Sequence, residues 1–338
     1  MRNKKISLEH GAGGKAMMNL IKQIAIKEIS EKKVGPVGLN ELDDGAAIDI
    51  GDENLIFTTD SHTIKPLFFP GGDIGKLAIA GTVNDLAVMG GKPLALSSAM
   101  VLSEGFPSED LKKIIQSMNA TAQKAGISLV TGDTKVMEKE SLDEMIITTT
   151  GIGLANSLKT DGGLNLGDKI IVTGNIGEHE TAIITRREGI EIGEGLRSDV
   201  APIWDTVEAG LKIGGITAMK DPTRGGLAGT LNELASKSNI GISIYEDEIP
   251  IPSPVRNIGE LLGIDPLQLT NEGKAVIGVE PERSKDVLEA IRKTENGKEA
   301  QIIGKTTKKP RKKVVLETEV GGKRLVRAPI GAPTPRIC

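Results

Sequence analysis

Helical and strand-like periodicities alternate along this chain without ever settling into a strict strand–helix–strand order, and that irregularity limits the folds open to it. Met17, Leu20, Ile21 and Ile24 recur at helical spacing, which predicts an amphipathic helix over about 15–29. Residues 55–59 read as a strand ending at Asp60, 73–89 as a helix stopped by Gly90-Gly91, and 94–102 as a strand. Ser108 is placed to cap a helix reaching Lys124, with Glu109 and Asp110 in its first turn. Strands over 127–131, ending at Gly132-Asp133, and over 145–154 complete a first block. A second block has strands at 169–173, 240–245 and 274–279 and near 301–304 and 313–318, with helices near 179–187, 202–212, 226–237 and 283–293. A doubly wound parallel sheet needs regular alternation, so the expected fold class is α+β. The Asn-, Asp- and Gly-rich stretch 156–168 separates the blocks, giving expected domains over 1–155 and 156–318 and a tail over 319–338.

At 338 residues the chain is long enough for two domains of roughly 100–200 residues each. Aromatic residues make up only 2%, so the cores must be built from Ile, Leu, Val, Ala and Met. The net charge of -4 argues against a nucleic-acid footprint. No apolar run approaches the ~20 residues of a membrane span, and the polar residues of Ile6-Ser7-Leu8-Glu9-His10 interrupt any signal-peptide core. A single cysteine fits a reducing, cytoplasmic setting.

That cysteine, Cys338, is the last residue, and Pro329, Pro333 and Pro335 precede it. Prolines this dense remove backbone donors and hold a segment extended. A thiol at the end of such an arm has no partner for an intramolecular disulfide. A frayed terminus is the plain alternative, but exposed free thiols are an oxidation liability that soluble proteins avoid. The arm therefore reads as a carrier that takes a sulfur-bound group from one place to another.

Four acidic motifs stand out in the first half: Asp43-Asp44-Gly45-Ala46, Thr59-Asp60-Ser61-His62, Val83-Asn84-Asp85-Leu86 and Thr131-Gly132-Asp133-Thr134. Singly, each aspartate could be a turn or cap residue. Asp85 is harder to dismiss, because an acid inside an Ala/Leu/Val helix is costly unless paired or metal-bound. Carboxylates converging from several elements suit Mg²⁺, which takes oxygen ligands and shares them with phosphate. His10-Gly11-Ala12-Gly13-Gly14-Lys15 is a glycine loop opening a helix, a place where backbone N–H groups and a lysine can meet phosphate. None of the seven Gly-Lys pairs has a glycine five residues earlier, so there is no P-loop. Gly11-x-Gly13-x-x-Ala16 is a relaxed dinucleotide fingerprint, but Lys4-Lys5-Ile6-Ser7-Leu8 is a poor buried strand before it. In the second half, Asp221-Pro222-Thr223-Arg224-Gly225-Gly226-Leu227 feeds a helix carrying Asn232, and Arg224 could reach a phosphate. Asn271-Glu272-Gly273-Lys274 places an acid in a tight turn where a general base could sit. The scattered His10, His62, His179 and Cys338 lack zinc-ligand spacing.

Together these motifs resemble the superfamily of aminoimidazole ribonucleotide (AIR) synthetase, selenophosphate synthetase, thiamine monophosphate kinase and the HypE hydrogenase maturation proteins. The ending Pro335-Arg336-Ile337-Cys338 points to the HypE family within it. The resemblance implies two α/β domains of PurM-like fold and a homodimer formed through first-domain strands, with ATP near that interface. It implies Mg²⁺ on Asp44, Asp60, Asp85 and Asp133. The nucleotide would be held by His10, Gly11, Gly13, Gly14, Lys15, Asp43, Asn84, Thr134, Arg224 and Asn232. HypE-like proteins receive a carbamoyl group on the terminal cysteine from HypF and dehydrate it to a thiocyanate with ATP. The nitrile then passes to the HypC–HypD complex as the cyanide ligand of NiFe-hydrogenase iron. Cys338 would be the carrier and Glu272 the base, with Lys135 or His179 assisting. A superfamily kinase acting on a free small molecule, a non-catalytic scaffold and a dinucleotide oxidoreductase are the alternatives.

Overall fold

The computed structural model describes residues 5–11, 15–190 and 195–329; Gly13, Gly14 and Cys338 lie outside them. At the N-terminal end α1 (Lys15–Leu20) runs through a wide turn, Ile21–Ala25, into α2 (Ile26–Glu28). The first sheet is built from β1 (Ala46–Asp49), β2 (Asn54–His62), β5 (Lys92–Ser103), β6 (Ser128–Met137) and β7 (Met145–Ala155), with the small hairpin β3 (Phe68–Phe69) and β4 (Gly72–Asp73) set apart. Its strand order is β1-β2-β7-β5-β6, and only the β5–β6 pair is parallel. α3 (Ile74–Val88) lies against β2 and β7, with α4 (Ser108–Lys124) beside it. The Asp73 carboxylate caps α3 by accepting from the N–H groups of Gly75 and Lys76. Every α3 residue except Lys76 and Asp85 is buried, which is how a helix with apolar residues on all sides must sit.

The second sheet takes β8 (Lys169–Val172), β9 (Ile216–Lys220), β10 (Gly241–Tyr245), β11 (Val276–Val279), β12 (Gln301–Thr307), β13 (Val314–Glu317) and β14 (Lys323–Val326) in the order β14-β13-β10-β12-β8-β11-β9. Only β10–β13 is parallel. Both of its faces are covered, and this explains strands such as Lys169-Ile170-Ile171-Val172 that read as continuous apolar runs. Ile170 and Val172 pack with Leu227 and Leu231 of α7 (Gly226–Lys237), while Ile171 packs with Val207 of α6 (Trp204–Ile213) and Val287 of α9 (Ser284–Arg292). α5 (Glu178–Glu188) and α8 (Ser253–Leu262) complete the domain. Ala87 and Val88 of α3 join the same cluster as Ile171, so α3 belongs to both domains' packing.

Mostly antiparallel sheets with helices packed on them make this an α+β fold. Several local expectations need correction. Ser108 is not a cap: Pro107 holds that position, its carbonyl accepts from Asp110 and Leu111, and no side chain caps the helix. β2 continues past Asp60 to His62, and β6 continues past Asp133 to Met137, so both acids sit within strands. β1, β9 and α8 were not anticipated, although Pro254 in the first turn of α8 is a recognisable start signal. Lys323–Val326, expected as tail, is β14: it pairs with β13 and buries Val326.

One side chain joins the domains from inside α3. The Asn84 amide donates to the carbonyls of Ala201 (3.1 Å) and Glu272 (3.0 Å), and its Oδ1 accepts from the Ile203 N–H (2.9 Å). All three bonds are buried or partly buried, so losing them leaves backbone groups stranded at a cost of about 1–3 kcal/mol each. Asn84→Ala should lower unfolding stability by about 3 kcal/mol or more in urea titrations. A change below about 1 kcal/mol would show that the interface satisfies these groups by other means.

Candidate active site

Where the domains meet, a cavity of about 280 Å³ opens. The first domain contributes Asp43 and Asp44, the β2 segment from Thr58 to His62, Gly81 and Asp85 of α3, and Met17, Met18 and Ile21. Opposite stand Lys220, Asp221, Thr223, Arg224, Thr230, Glu233 and Glu272. Carboxylate oxygens of Asp44, Asp85 and Asp221 come within 4.8 Å of one another. The Thr58 hydroxyl ties two of them together, 3.0 Å from Asp85 Oδ2 and 2.7 Å from the Asp44 carbonyl oxygen. Burial pushes Asp44 and Asp85 well above the usual carboxylate range, and neighbouring carboxylates push the same way, while Lys220 opposes the rise at Asp44. Asp221 is pushed up to about 6, again chiefly by burial.

Two lysines of the second domain partly offset this charge. Lys220 bonds Asp44 and lies 3.2 Å from Asp161 and 3.6 Å from Glu233. Lys237 reaches Asp43 at 2.5 Å, Asp161 at 2.8 Å and the Leu42 carbonyl at 2.7 Å. Asp44 Oδ2 nonetheless stays buried with no hydrogen-bond partner among the described residues. An orphaned carboxylate oxygen beside two further acids is a donor set that fits a hard divalent cation such as Mg²⁺.

Glu272 is held from three sides. Its N–H donates to Asp199 Oδ1 (3.1 Å), and its carbonyl accepts from Asn84 (3.0 Å) and from the Ala201 N–H (3.3 Å). Next to it, a Cβ on Gly273 would sit 2.0 Å from the Asp199 carbonyl, so the turn admits only glycine. Asn271 bonds the Pro222 carbonyl (3.1 Å), tying this turn to the Asp221 loop. His62 is buried beside the cavity, 3.6 Å from Asp60 and 3.3 Å from the Thr149 hydroxyl, and burial lowers its pKa.

Of the residues singled out from sequence, Asp43, Asp44, Asp60, Asp85, Arg224 and Glu272 line this cavity. Asp133, Thr134 and Lys135 do not. They lie on β6, an exposed edge strand, where Asp133 accepts from the Thr134 N–H and stands 4.0 Å from Lys135. His179 is a core residue, 2.7 Å from the Ser198 hydroxyl and edge-on to Phe69, because α5 begins inside the packing. Asn84 spends its amide on the domain junction described above. Asn232 donates to the carbonyls of Ala228 (2.8 Å) and Val326 (3.1 Å), and so anchors the end of β14. His10 folds back on Ser7, and neither it nor Gly11 lines the cavity. Lys15 opens α1, but its side chain lies outside the described set, as do Gly13, Gly14 and Cys338.

Asp221, Lys220 and Thr58 were missed as site residues. Asp221 was legible only as the first residue of a proline turn, and a lysine ending a strand carries no signal of burial.

The Asp221 shift has a measurable consequence. A carboxyl whose folded pKa lies above its unfolded value contributes full stability below the unfolded value and loses it as pH rises through the folded one. For Asp221 that interval runs from 3.8 to about 6. In chelator, Asp221→Asn should be more stable than the wild type at pH 7, by about 1–3 kcal/mol at 1.36 kcal/mol per pKa unit. The advantage should vanish below about pH 4. Equal stability at pH 7 would mean that the charge is already compensated.

Residues 42–155 match the N-terminal domain, and residues 165–317 the C-terminal domain, of AIR synthase related proteins. The chain is 53% identical to a hydrogenase expression/formation protein of Methanocaldococcus jannaschii, over 99% of this chain and 100% of the relative. It is 41% identical to the carbamoyl dehydratase HypE of Azotobacter vinelandii, over 100% of this chain and 98% of the relative. The crystal structure of a HypE–HypF complex superposes with a TM-score of 0.86 at 40% identity, covering 92% of this chain and 99% of the matched one. HypE in complex with ATP gives 0.82 at 37%, covering 99% and 100%. With full-length similarity at this level and both domain models matched in order, the chain belongs to the HypE family of hydrogenase maturation proteins, built on paired AIR synthase-related domains.

Proposed function

We propose that this protein is an ATP-dependent carbamoyl dehydratase that converts an S-carbamoyl group on its own Cys338 into a thiocyanate. The carbamoyl group would come from HypF, and the nitrile would go to HypC–HypD as cyanide for NiFe-hydrogenase iron. Support comes from relatives named carbamoyl dehydratase and from related structures solved with ATP and with HypF.

The observation that carries the reading is where Pro329, the last described residue, lies. Pro329 packs on Gly225, where a Cβ would come 3.2 Å from its ring, and Asn232 holds Val326 nearby. Gly225 follows Arg224 directly, in the loop that walls the cavity. Cys338 lies nine residues beyond Pro329, a tether of at most about 30 Å. A carbamoyl thioester on that tether would face the cavity at high effective molarity.

The reaction removes the carbonyl oxygen and both N–H protons. The oxygen leaves as phosphate once it has taken the γ-phosphoryl of ATP and ADP has departed. Loss of the first N–H proton gives the neutral imidate, and loss of the second with expulsion of phosphate leaves the C≡N bond. Glu272, buried and fixed through its backbone, is the proton acceptor of this scheme. Arg224, on the cavity wall, would meet the phosphates. Asp44, Asp85 and Asp221 would hold Mg²⁺, which would supply neutralising charge for the transferring phosphoryl group. The homodimer belongs to the same proposal: β6 is an edge strand exposed along its length, with Leu129, Val130 and Val136 outward.

Intact mass spectrometry tests this with HypF, carbamoyl phosphate and ATP present. The wild type should gain a carbamoyl mass and then lose one water, while Cys338→Ala should gain nothing. Glu272→Gln should accumulate the carbamoylated form, with dehydration slowed about 10²–10⁴-fold. Thiocyanate on the Cys338→Ala protein would sink the carrier assignment. A Glu272→Gln rate equal to wild type would remove Glu272 as the base.

A further inference from the structure

Lys220 has surroundings unlike those of an ordinary bridging lysine. Its ammonium bonds Asp44 and has Asp161 at 3.2 Å and Glu233 at 3.6 Å. Three acidic oxygens thus face a group that has three N–H donors to give. Asp44 is shared: Oδ1 goes to Lys220, and Oδ2 is buried without a hydrogen-bond partner among the described residues. Asp44 also groups with Asp85 and Asp221 within 4.8 Å. A carboxylate with one oxygen on each of two neighbouring positive centres is the bridging geometry of two-metal sites, whose ions stand about 3.5–4 Å apart. Here the ammonium takes Oδ1, and Oδ2 is the oxygen left for a cation.

We infer that Lys220 stands in for a second metal ion, so that the acid cluster takes a single divalent cation per chain. This rests on the cation reading of the cavity given above and extends it to the number of ions. The side chain is a permanent counter-charge: it holds Asp44 with one oxygen turned away from it, and it blocks a second ion from Asp44, Asp161 and Glu233. Glu233 is 35% exposed, which gives an ion a way in once the ammonium is removed.

Mn²⁺ binding to the full chain, without nucleotide, reads this directly. Titration followed by electron paramagnetic resonance should count one Mn²⁺ on the wild type, with no spin coupling between ions. Lys220→Gln should take two, close enough to couple. Lys220→Arg should stay at one. Lys237→Gln removes the other lysine on Asp161 Oδ2 while Lys220 keeps its own contact there, and should also stay at one. Two coupled ions on the wild type would overturn the inference, and that measurement depends on no variant folding. One ion on both the wild type and Lys220→Gln would overturn it while leaving the cation reading in place. No Mn²⁺ on either would sink both. Two ions on Lys237→Gln would show that any freed carboxylate recruits a metal, and Lys220 would lose its special part.

Discussion

The structure depends on two lysine ammonium groups reaching from one domain into carboxylates of the other. Lys220 and Lys237 both contact Asp161, in the segment joining the domains, and each also takes one acid of the Asp43-Asp44 pair. Burying such charges is expensive and is tolerated only when each is paired and hydrogen-bonded. Asp161 is 1% exposed and shared by both lysines, so removing any member leaves another charge stranded in a dry interface. The Asn84 clamp adds direct hydrogen bonds to the same junction. Domain orientation and site assembly are therefore one problem.

This junction has more acid than base. Asp43, Asp44, Asp85, Asp161 and Asp221 gather around two lysines, and burial drives Asp44 and Asp85 towards their protonated forms. Under the proposed function a divalent cation would relieve that excess, and the cost of holding acids apart from water would become affinity for the cation and its phosphate partner. The backbone of Glu272 is held by Asn84 and Asp199, so its turn is positioned in part by the same side chain that joins the domains.

Much of the fold was legible. α4 and α7 fall on their expected spans, because their ends carry proline and glycine signals and their apolar faces recur at helical period. Misreadings came where tertiary pairing extended an element. β6 was expected to stop at Gly132-Asp133, but pairing with β5 carries it to Met137. The sequence of β14 reads as tail, since Lys323-Arg324-Leu325-Val326 has little intrinsic strand character, and the strand exists by pairing with β13. His179 and Asn232, expected at the site, make packing and anchoring contacts, His179 with Ser198 and Asn232 with the end of β14.

The acidic and glycine motifs, with the Pro335-Arg336-Ile337-Cys338 ending, were enough to point to the family and the two-block α+β organisation, and of the first-half aspartates Asp43, Asp44, Asp60 and Asp85 line the cavity while Asp133 does not. The motifs are local properties, since turn chemistry, helical period and an acid in an apolar helix each leave a mark within a few residues. Only the tertiary structure decided which acids meet. Asp221 lies 136 positions from Asp85 in the chain, yet their oxygens come within 4.8 Å. Lys220 became a buried counter-ion because β9 ends at the domain junction. Charge–charge geometry depends on distance through space, and nothing along the chain encodes that distance until the two sheets are packed.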